Sequence, residues 1–137
     1  MHASRERRTS GAAIALVLLS ILSSDLPAAD DRNTTGLPTY PHIGHAIMDP
    51  VPRDTRGSKC IHYVADSEDP LERVTAWYRH ALPGALESDV NQNPIYGGFF
   101  KLTGIRLTLG ADFVTVYRTA NGKTTSIELF KCAPAGV

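Results

Sequence analysis

The sequence predicts an α+β fold, a two-layer sandwich with one main helix packed on a three- to five-stranded, mainly antiparallel sheet. Three observations lead to this prediction. Residues 104–131 alternate apolar and polar side chains between two turn signals, residues 69–84 carry the marks of a single amphipathic helix, and two cysteines bracket both elements. We therefore expect one sheet, one helix on its apolar face, and a covalent link between distant parts of the chain.

The antiparallel meander follows from its turns. Asn121-Gly122 between two alternating runs favours a two-residue type I′ turn with both central residues at positive φ. Counting outward from this turn pairs Val114 with Leu129, and a second tight turn at Gly110-Ala111 gives a compatible register. One face of the meander then collects the aliphatic side chains of Ile105, Leu107, Val114, Val116, Ile127 and Leu129.

The opposite face of the meander, here called the outer face, is rich in hydroxyl and aromatic groups. It comprises Gly104, Arg106, Thr108, Phe113, Thr115, Tyr117, Ser126, Glu128 and Phe130. One interpretation is an ordinary solvated sheet face. A second is a recognition surface to which Phe113, Tyr117 and Phe130 contribute rigid contact area, and a third is cover by the Pro-rich segment before residue 59.

The N-terminus is typical of a secretory signal peptide. Arg5, Arg7 and Arg8 precede an apolar run, Gly11–Leu22, that is shorter than the roughly 20 residues of a membrane span. Small residues after this run place cleavage between Ser24 and Ala29, with an uncleaved anchor as the alternative. The sequence thus predicts a periplasmic or secreted protein without a membrane span after cleavage.

Cleavage would leave about 108 residues, which suffices for one domain with one modest core. The predicted organisation is a signal peptide over 1–29, a Pro/Gly-rich extended lead-in over 30–58, an α+β domain over 59–132 and a disordered tail over 133–137. Lys plus Arg and Asp plus Glu number 14 each, without a clustered basic stretch in the exported part. This composition gives no indication of a nucleic-acid partner or of a polybasic membrane patch.

Cys60 and Cys132 both lie in the exported part, and two cysteines in an oxidising compartment predict one disulfide. The bond would join the start of the first core strand, Cys60–Ala65, to the end of the last. The alternative is a nucleophilic Cys60 assisted by His62 or His80.

The helix has a complete set of boundary signals. Asp69 can serve as N-cap, with Pro70 at the first helical position and Glu72 completing a capping box. Pro83-Gly84 predicts the C-terminal end. The apolar stripe expected to cover the aliphatic face of the meander is Leu71, Val74, Tyr78 and Ala81 or Leu82, with Trp77 at its border.

Ala85–Phe100 is predicted to be a functional loop, since it joins a polar half to a Gly-rich aromatic half. Tyr96 and Phe99 would supply bulky contacts beside flexible glycines. The alternative is that Phe99–Thr103 forms a further strand.

The order of a Tyr40-Pro41 pair, a strand, and then Val74-x-x-Trp77-Tyr78-x-x-x-Leu82-Pro83-Gly84 resembles a class of small exported bacterial domains of uncharacterised function. That class shares a Tyr-Pro pair and a V-x-x-[FW]-Y-x-x-x-L-P helix. The likeness spans about residues 40–132, although His42-Ile43-Gly44 replaces the expected Gly-Ala. The resemblance implies an exported domain and brings no active site with it.

For function, the sequence favours a non-enzymatic binding or accessory protein of the bacterial cell envelope that contacts a protein partner and uses no cofactor. Motifs for nucleophilic catalysis, phosphate binding or strong metal binding are missing from the sequence. One alternative is a metal-handling periplasmic protein that uses His42, His45 and His62. Another is a small hydrolase built from His62, Asp66, Ser67 or His80, which requires these side chains to converge.

Overall fold

The structure, a computed structural model, describes residues 30–92 and 101–134. Within these ranges the chain forms six strands and one helix. Their bounds are β1 Ala46–Thr55, β2 Ser58–Ser67, α1 Leu71–Ala81, β3 Leu86–Gln92, β4 Lys101–Leu109, β5 Asp112–Thr119 and β6 Thr125–Cys132.

All six strands belong to one antiparallel sheet in the order β1-β2-β6-β5-β4-β3. After β2 the chain passes through the helix to the far edge of the sheet, and the following strands return inward. The last strand, β6, therefore pairs with β2 and joins the N-terminal hairpin to the meander. This closure places Cys60 directly opposite Cys132.

The predicted fold class, one main helix on a three- to five-stranded sheet, is wrong. The molecule is mostly a six-stranded antiparallel sheet, and its helix spans only 11 residues. β1 lies in the predicted extended lead-in, part of which was expected to pack as an edge strand, and β3 lies in the predicted functional loop. Both are edge strands, which need a hydrogen-bonded neighbour on one side only and so tolerate proline and polar residues.

The predicted register of the meander is confirmed. Val114 pairs with Leu129 and with Leu107, and Phe113 pairs with Phe130. The six predicted aliphatic residues are all buried in one core cluster beneath the helix. The same cluster includes Tyr63 of β2 and Leu37 and Tyr40 of the lead-in, so the N-terminal segment contributes to the core.

The predicted type I′ turn at Asn121-Gly122 is wrong. Residues 120–124 form a longer connection, and neither Asn121 nor Gly122 has a positive φ. The cause is tertiary: Thr125 donates a hydrogen bond to the carbonyl of Asp69 and accepts one from Arg118, which holds the start of β6 against the helix N-terminus. The register survives because buried side chains fix it independently of the turn.

The helix ends as predicted and begins differently. Gly84 has a φ of 81°, the left-handed geometry that favours glycine after a helix. At the other end Pro70 is the N-cap residue, and no side chain caps the helix. Asp69, the predicted cap, instead accepts a hydrogen bond from the Tyr40 hydroxyl at 2.5 Å. A tertiary contact to the lead-in thus replaces the local one.

Candidate functional site

The outer face carries a line of stacked planar groups, here called the aromatic ladder. The His62 ring lies 4.1 Å from that of Phe130, and Phe130 lies 4.3 Å from Phe113, both pairs being stacked. The Arg106 guanidinium completes the line, 5.0 Å from the centre of the Phe113 ring. The four residues come from β2, β6, β5 and β4, so the register of the sheet alone brings them together.

A buried carboxylate lies beside the ladder. Glu128 is only 2% exposed, although it belongs to the outer face. Its Oε1 approaches His62 Nε2 to 3.2 Å, and neither atom has a hydrogen-bond partner among the described residues. Thr115 lies between Glu128 and Arg106 in the register of the sheet. A nearly buried carboxylate between a histidine and an arginine makes this the most polar part of the outer face.

Arg106 is the cation nearest the centre of this face. Burial lowers its pKa, and so does the neighbouring charge of Arg56, whereas Glu128 raises it. Its Nε donates a weak hydrogen bond to Thr115 Oγ1 at 3.4 Å. The side chain is thus held by stacking and by one long hydrogen bond, and its guanidinium experiences both attraction and repulsion.

A cavity of about 480 Å³ opens beside Phe113 of the ladder and is called the tip cavity here. Phe113 and the disulfide residue Cys132 form its wall on the sheet. The β1–β2 turn and the β4–β5 turn face each other across it. The remaining lining residues are Thr55, Arg56 and Ser58 from the first turn, Gly110 and Ala111 from the second, and Pro134.

Two features of the β1–β2 hairpin explain why its tip reaches this place. The register shifts between Asp49 and Arg53, and such a bulge bends and twists the hairpin. At the tip, Arg56 and Gly57 have φ angles of 54° and 81°. Two consecutive positive φ angles are typical of a type I′ turn, the geometry that was expected at Asn121-Gly122.

The residues predicted as a binding surface differ in their accessibility. Phe113 is half-buried and contacts the tip cavity. Phe130 is 2% exposed within the ladder, and Tyr117 is 8% exposed in a cluster with Val90 and Leu102. Tyr96 and Phe99 lie outside the described residues. The binding role of all five stays a prediction, and Phe113 is the accessible member of those described.

The Pro-rich lead-in was one candidate cover for the outer face. Leu37 and Tyr40 instead pack into the core cluster on the helix side of the sheet. The disulfide between Cys60 and Cys132 is present and covers one side of Phe130. Within the part of the chain that is described, the cysteine thiols are therefore bonded and Cys60 is no nucleophile.

The histidines of the metal hypothesis have separate neighbours. His42 contacts the Tyr40 ring, His45 lies 3.7 Å from Asp66, and His62 faces Glu128. Over residues 30–92 and 101–134, no group of three or more His, Cys, Asp or Glu side chains could hold a metal ion.

The residues of the hydrolase hypothesis are not brought together either. The Ser67 hydroxyl donates a hydrogen bond to the carbonyl of His42, and His62 lies with Glu128 on the outer face. His80 belongs to the helix, on the other side of the sheet. Asp66 binds the backbone N–H of His45.

Arg56 and Glu128 were not identified as site residues from the sequence, and His62 was named only in the metal, hydrolase and Cys60-nucleophile alternatives. The register places Glu128 next to Thr115 and Arg106, yet its burial could not be read from the pattern. The sequence does carry one indication of a turn at Arg56. Gly57 stands shortly before the predicted strand Cys60–Ala65, and a glycine at this place is compatible with a tight hairpin turn. Only the bend of the hairpin over the sheet gives that turn its neighbours.

Within the described residues, no helix combines the length and the apolar character needed to cross a bilayer. Comparisons with protein families, curated proteins and solved structures found no match to this chain.

Proposed function

We propose that the chain is an exported, non-enzymatic binding protein of the bacterial cell envelope that contacts a protein partner at the tip cavity. The observation that supports this proposal is the position of Phe113. Its ring is stacked on Phe130, lies under the Arg106 guanidinium, and forms part of the cavity wall. An aromatic side chain already fixed beside a concave surface loses little conformational entropy on binding, which is the property of interface anchors.

The disulfide supports the exported location in this proposal. Disulfides persist in oxidising compartments such as the periplasm, and the Cys60–Cys132 bond joins residues 72 positions apart. The basic and apolar residues at the start of the sequence agree with the same route.

The polar groups of the outer face support binding better than catalysis. Glu128 and His62 could form an acid–base pair, but acyl transfer also needs an activated nucleophile nearby. Thr115, the hydroxyl residue opposite Glu128, is buried and accepts a hydrogen bond from Arg106. Ser67 lies on the other face of β2, where it binds backbone groups.

The test is an affinity capture from an envelope extract of the source bacterium, with the mature wild type, Phe113→Ala and Leu86→Ala as baits. Leu86 is the matched control because it is 76% exposed on the same outer face, two strands from Phe113, and does not line the tip cavity. We expect a partner that the wild type and Leu86→Ala retain and that Phe113→Ala loses by at least about tenfold.

Circular dichroism and thermal unfolding of each bait show whether the variants are folded. If all three folded baits capture the same proteins in equal amounts, the tip cavity is not the contact site. If Leu86→Ala loses the partner and Phe113→Ala keeps it, binding occurs on another part of the sheet and the proposal is also wrong.

A further inference from the structure

The charges of the β1–β2 hairpin are paired with one exception. Arg53 lies 2.5 Å from Asp49, and Lys59 lies 3.0 Å from Asp54. Arg56, at the tip between them, is exposed and has no carboxylate partner among the described residues. Arg56, which lines the tip cavity, is thus the basic residue of this hairpin that has no ion-pair partner among the described residues.

The backbone at Arg56 gives a second indication. Its φ of 54° is the only positive value at a non-glycine residue in the described chain. Asparagine, aspartate or glycine would adopt this geometry at lower cost, since a left-handed conformation costs other residues about 1 kcal/mol. Arg56 adopts this conformation at the hairpin tip, and from there it lines the tip cavity. A strained residue at a concave surface is a reason to look for a ligand.

A second guanidinium stands close by. Arg106 lies over the Phe113 ring, which forms the wall of the same cavity. The Arg56 charge lowers the pKa of Arg106, so the two cations repel each other. Arg106 does not itself line the cavity, so it adds positive charge behind Phe113 and no direct contact.

Asp112, the carboxylate between the lining residues Ala111 and Phe113 in the sequence, is already engaged. Asp112 lies 2.8 Å from Lys131 Nζ, and its second oxygen accepts a hydrogen bond from the backbone N–H of Cys132 at 3.0 Å. It therefore competes little for Arg56. The lining also offers the Ser58 hydroxyl and an apolar wall of Phe113, Ala111 and Pro134. The volume of about 480 Å³ lies in the range of small-ligand sites, about 300–1,000 Å³.

We propose that the tip cavity is a carboxylate-binding subsite in which Arg56 receives a carboxylate of the partner protein beside an apolar group packed on Phe113. This inference rests on the proposed function and specifies its partner chemistry. Guanidinium groups bind carboxylates through parallel N–H donors, which makes an acidic peptide segment the fitting ligand. The carboxylate can belong to an acidic side chain or to a C-terminus.

Three N-acetylated peptides distinguish the two sources of the carboxylate in an NMR titration of the ¹⁵N-labelled mature chain. Ac-Ala-Asp-Phe-NH₂ offers a side-chain carboxylate, Ac-Ala-Ala-Phe-OH offers a terminal carboxylate, and Ac-Ala-Asn-Phe-NH₂ offers neither. We expect saturable shifts of the amide signals of Gly57, Ser58 and Ala111 with at least one acidic peptide, and a dissociation constant in the low millimolar range or below. The neutral peptide should bind at least about tenfold more weakly.

Variants of Arg56 test whether this residue binds the carboxylate. Arg56→Gln should weaken binding of the acidic peptide about tenfold, whereas Arg56→Lys, which keeps the charge, should weaken it less. Arg53→Gln is the matched control, because that residue belongs to the same hairpin and is paired with Asp49; it should bind as the wild type does. Equal binding of the neutral peptide, or unchanged affinity in Arg56→Gln, would overturn the inference.

The two proposals fail in different ways. If Phe113→Ala loses the captured partner but Arg56→Gln retains it fully, the cavity binds a protein without a carboxylate subsite. If Phe113→Ala has no effect on capture while the acidic peptide saturates in an Arg56-dependent manner, the subsite exists and the proposed protein contact is wrong.

Discussion

Single residues on the outer face are constrained by the close approach of neighbouring strands. Gly104 lies in β4 opposite Tyr117 of β5. A Cβ at this position would lie 2.1 Å from the carbonyl oxygen of Val116 and 2.6 Å from Tyr117 Cβ. The glycine therefore allows Tyr117 to lie across β4 and to contact Val90 and Leu102.

Gly104→Ala should destabilise the fold by about 3 kcal/mol, because backbone in two central strands must move to admit the methyl group. Chemical denaturation followed by circular dichroism measures this loss. Thr103→Ala, an exposed change in the same strand, should alter stability by no more than about 0.5 kcal/mol. Equal stability of the two variants would show that β4 and β5 can separate here at little cost.

Asp30 shows how one carboxyl group fixes the start of the described chain. It accepts hydrogen bonds from Arg32 and from the buried Tyr63 hydroxyl. These hydrogen bonds lower the pKa of Asp30 from 3.8 to about 2, and burial opposes the shift. The ionised carboxylate is therefore the form that the folded state prefers.

Because the folded pKa of Asp30 is depressed, its contribution to stability is present above pH 4 and is lost as the pH falls toward 2. Asp30→Asn should reduce the free energy of unfolding by about 1 kcal/mol at pH 7, since the site is partly open to solvent. The difference from the wild type should disappear near pH 2. Asp31→Asn, a change at an exposed neighbour, is the control and should alter the free energy of unfolding at pH 7 by no more than about 0.5 kcal/mol in urea denaturation.

The elements are tied together by hydrogen bonds that do not belong to the sheet. The Tyr78 hydroxyl of the helix donates to the carbonyl of Pro38 at 3.1 Å and accepts from the backbone N–H of Tyr40 at 3.2 Å. Burial raises the pKa of Tyr78. One fully buried hydroxyl thus satisfies two backbone groups of residues 38–40, which belong to no helix or strand.

Tyr78→Phe should reduce the free energy of unfolding by about 2 kcal/mol, because it leaves the N–H of the buried Tyr40 and the C=O of the half-buried Pro38 without this partner. Hydrogen exchange localises the effect. The Tyr40 amide should lose more protection than the drop in global stability accounts for, whereas amides in the middle of the helix should lose only as much as global stability does. Unchanged protection of the Tyr40 amide would mean that the lead-in is held by packing of Leu37 and Tyr40 alone.

The edge strands show how the sheet is limited. β1 exposes Ile47 and Val51, at 72% and 56%, on a free edge. Pro50 and Pro52 lie in the same strand next to the bulge, and proline lacks the N–H that an added strand would need. The prolines that make this segment read as an extended lead-in in the sequence therefore also protect the edge of β1.

At the scale of the whole molecule, the disulfide and the β2–β6 pairing hold the hairpin and the meander together. Cys60 and Cys132 are paired in the register and bonded. The bond lies beside Phe130 and the tip cavity, so it supports both the fold and the candidate site.

Replacing both cysteines by alanine should reduce stability by about 4 kcal/mol, the chain-entropy value for a loop of 72 residues. Guanidinium denaturation of the double variant and of the reduced wild type should give similar midpoints, both well below that of the oxidised chain. A loss under about 1 kcal/mol would mean that the β2–β6 ladder alone restricts the chain.

Local patterns were sufficient for some features and insufficient for others. The pairing of Val114 with Leu129 was predictable because a shift of one residue would expose the core. Asp69 was predicted as a helix cap and instead binds Tyr40, 29 positions away, which no local pattern indicates. Phe113 was recognised as a candidate contact, but its stacking and its place in the cavity depend on four strands.

The sequence by itself determined the meander register, the helix and the disulfide, because each follows from side-chain periodicity, boundary residues or cysteine count. Only the tertiary structure decided that polar and proline-containing segments complete the sheet, that Glu128 is buried, and that Arg56 lines the same cavity as Phe113. The physical reason is that edge pairing, hairpin bending and burial depend on contacts between residues far apart in the chain, and local periodicity carries no information about them.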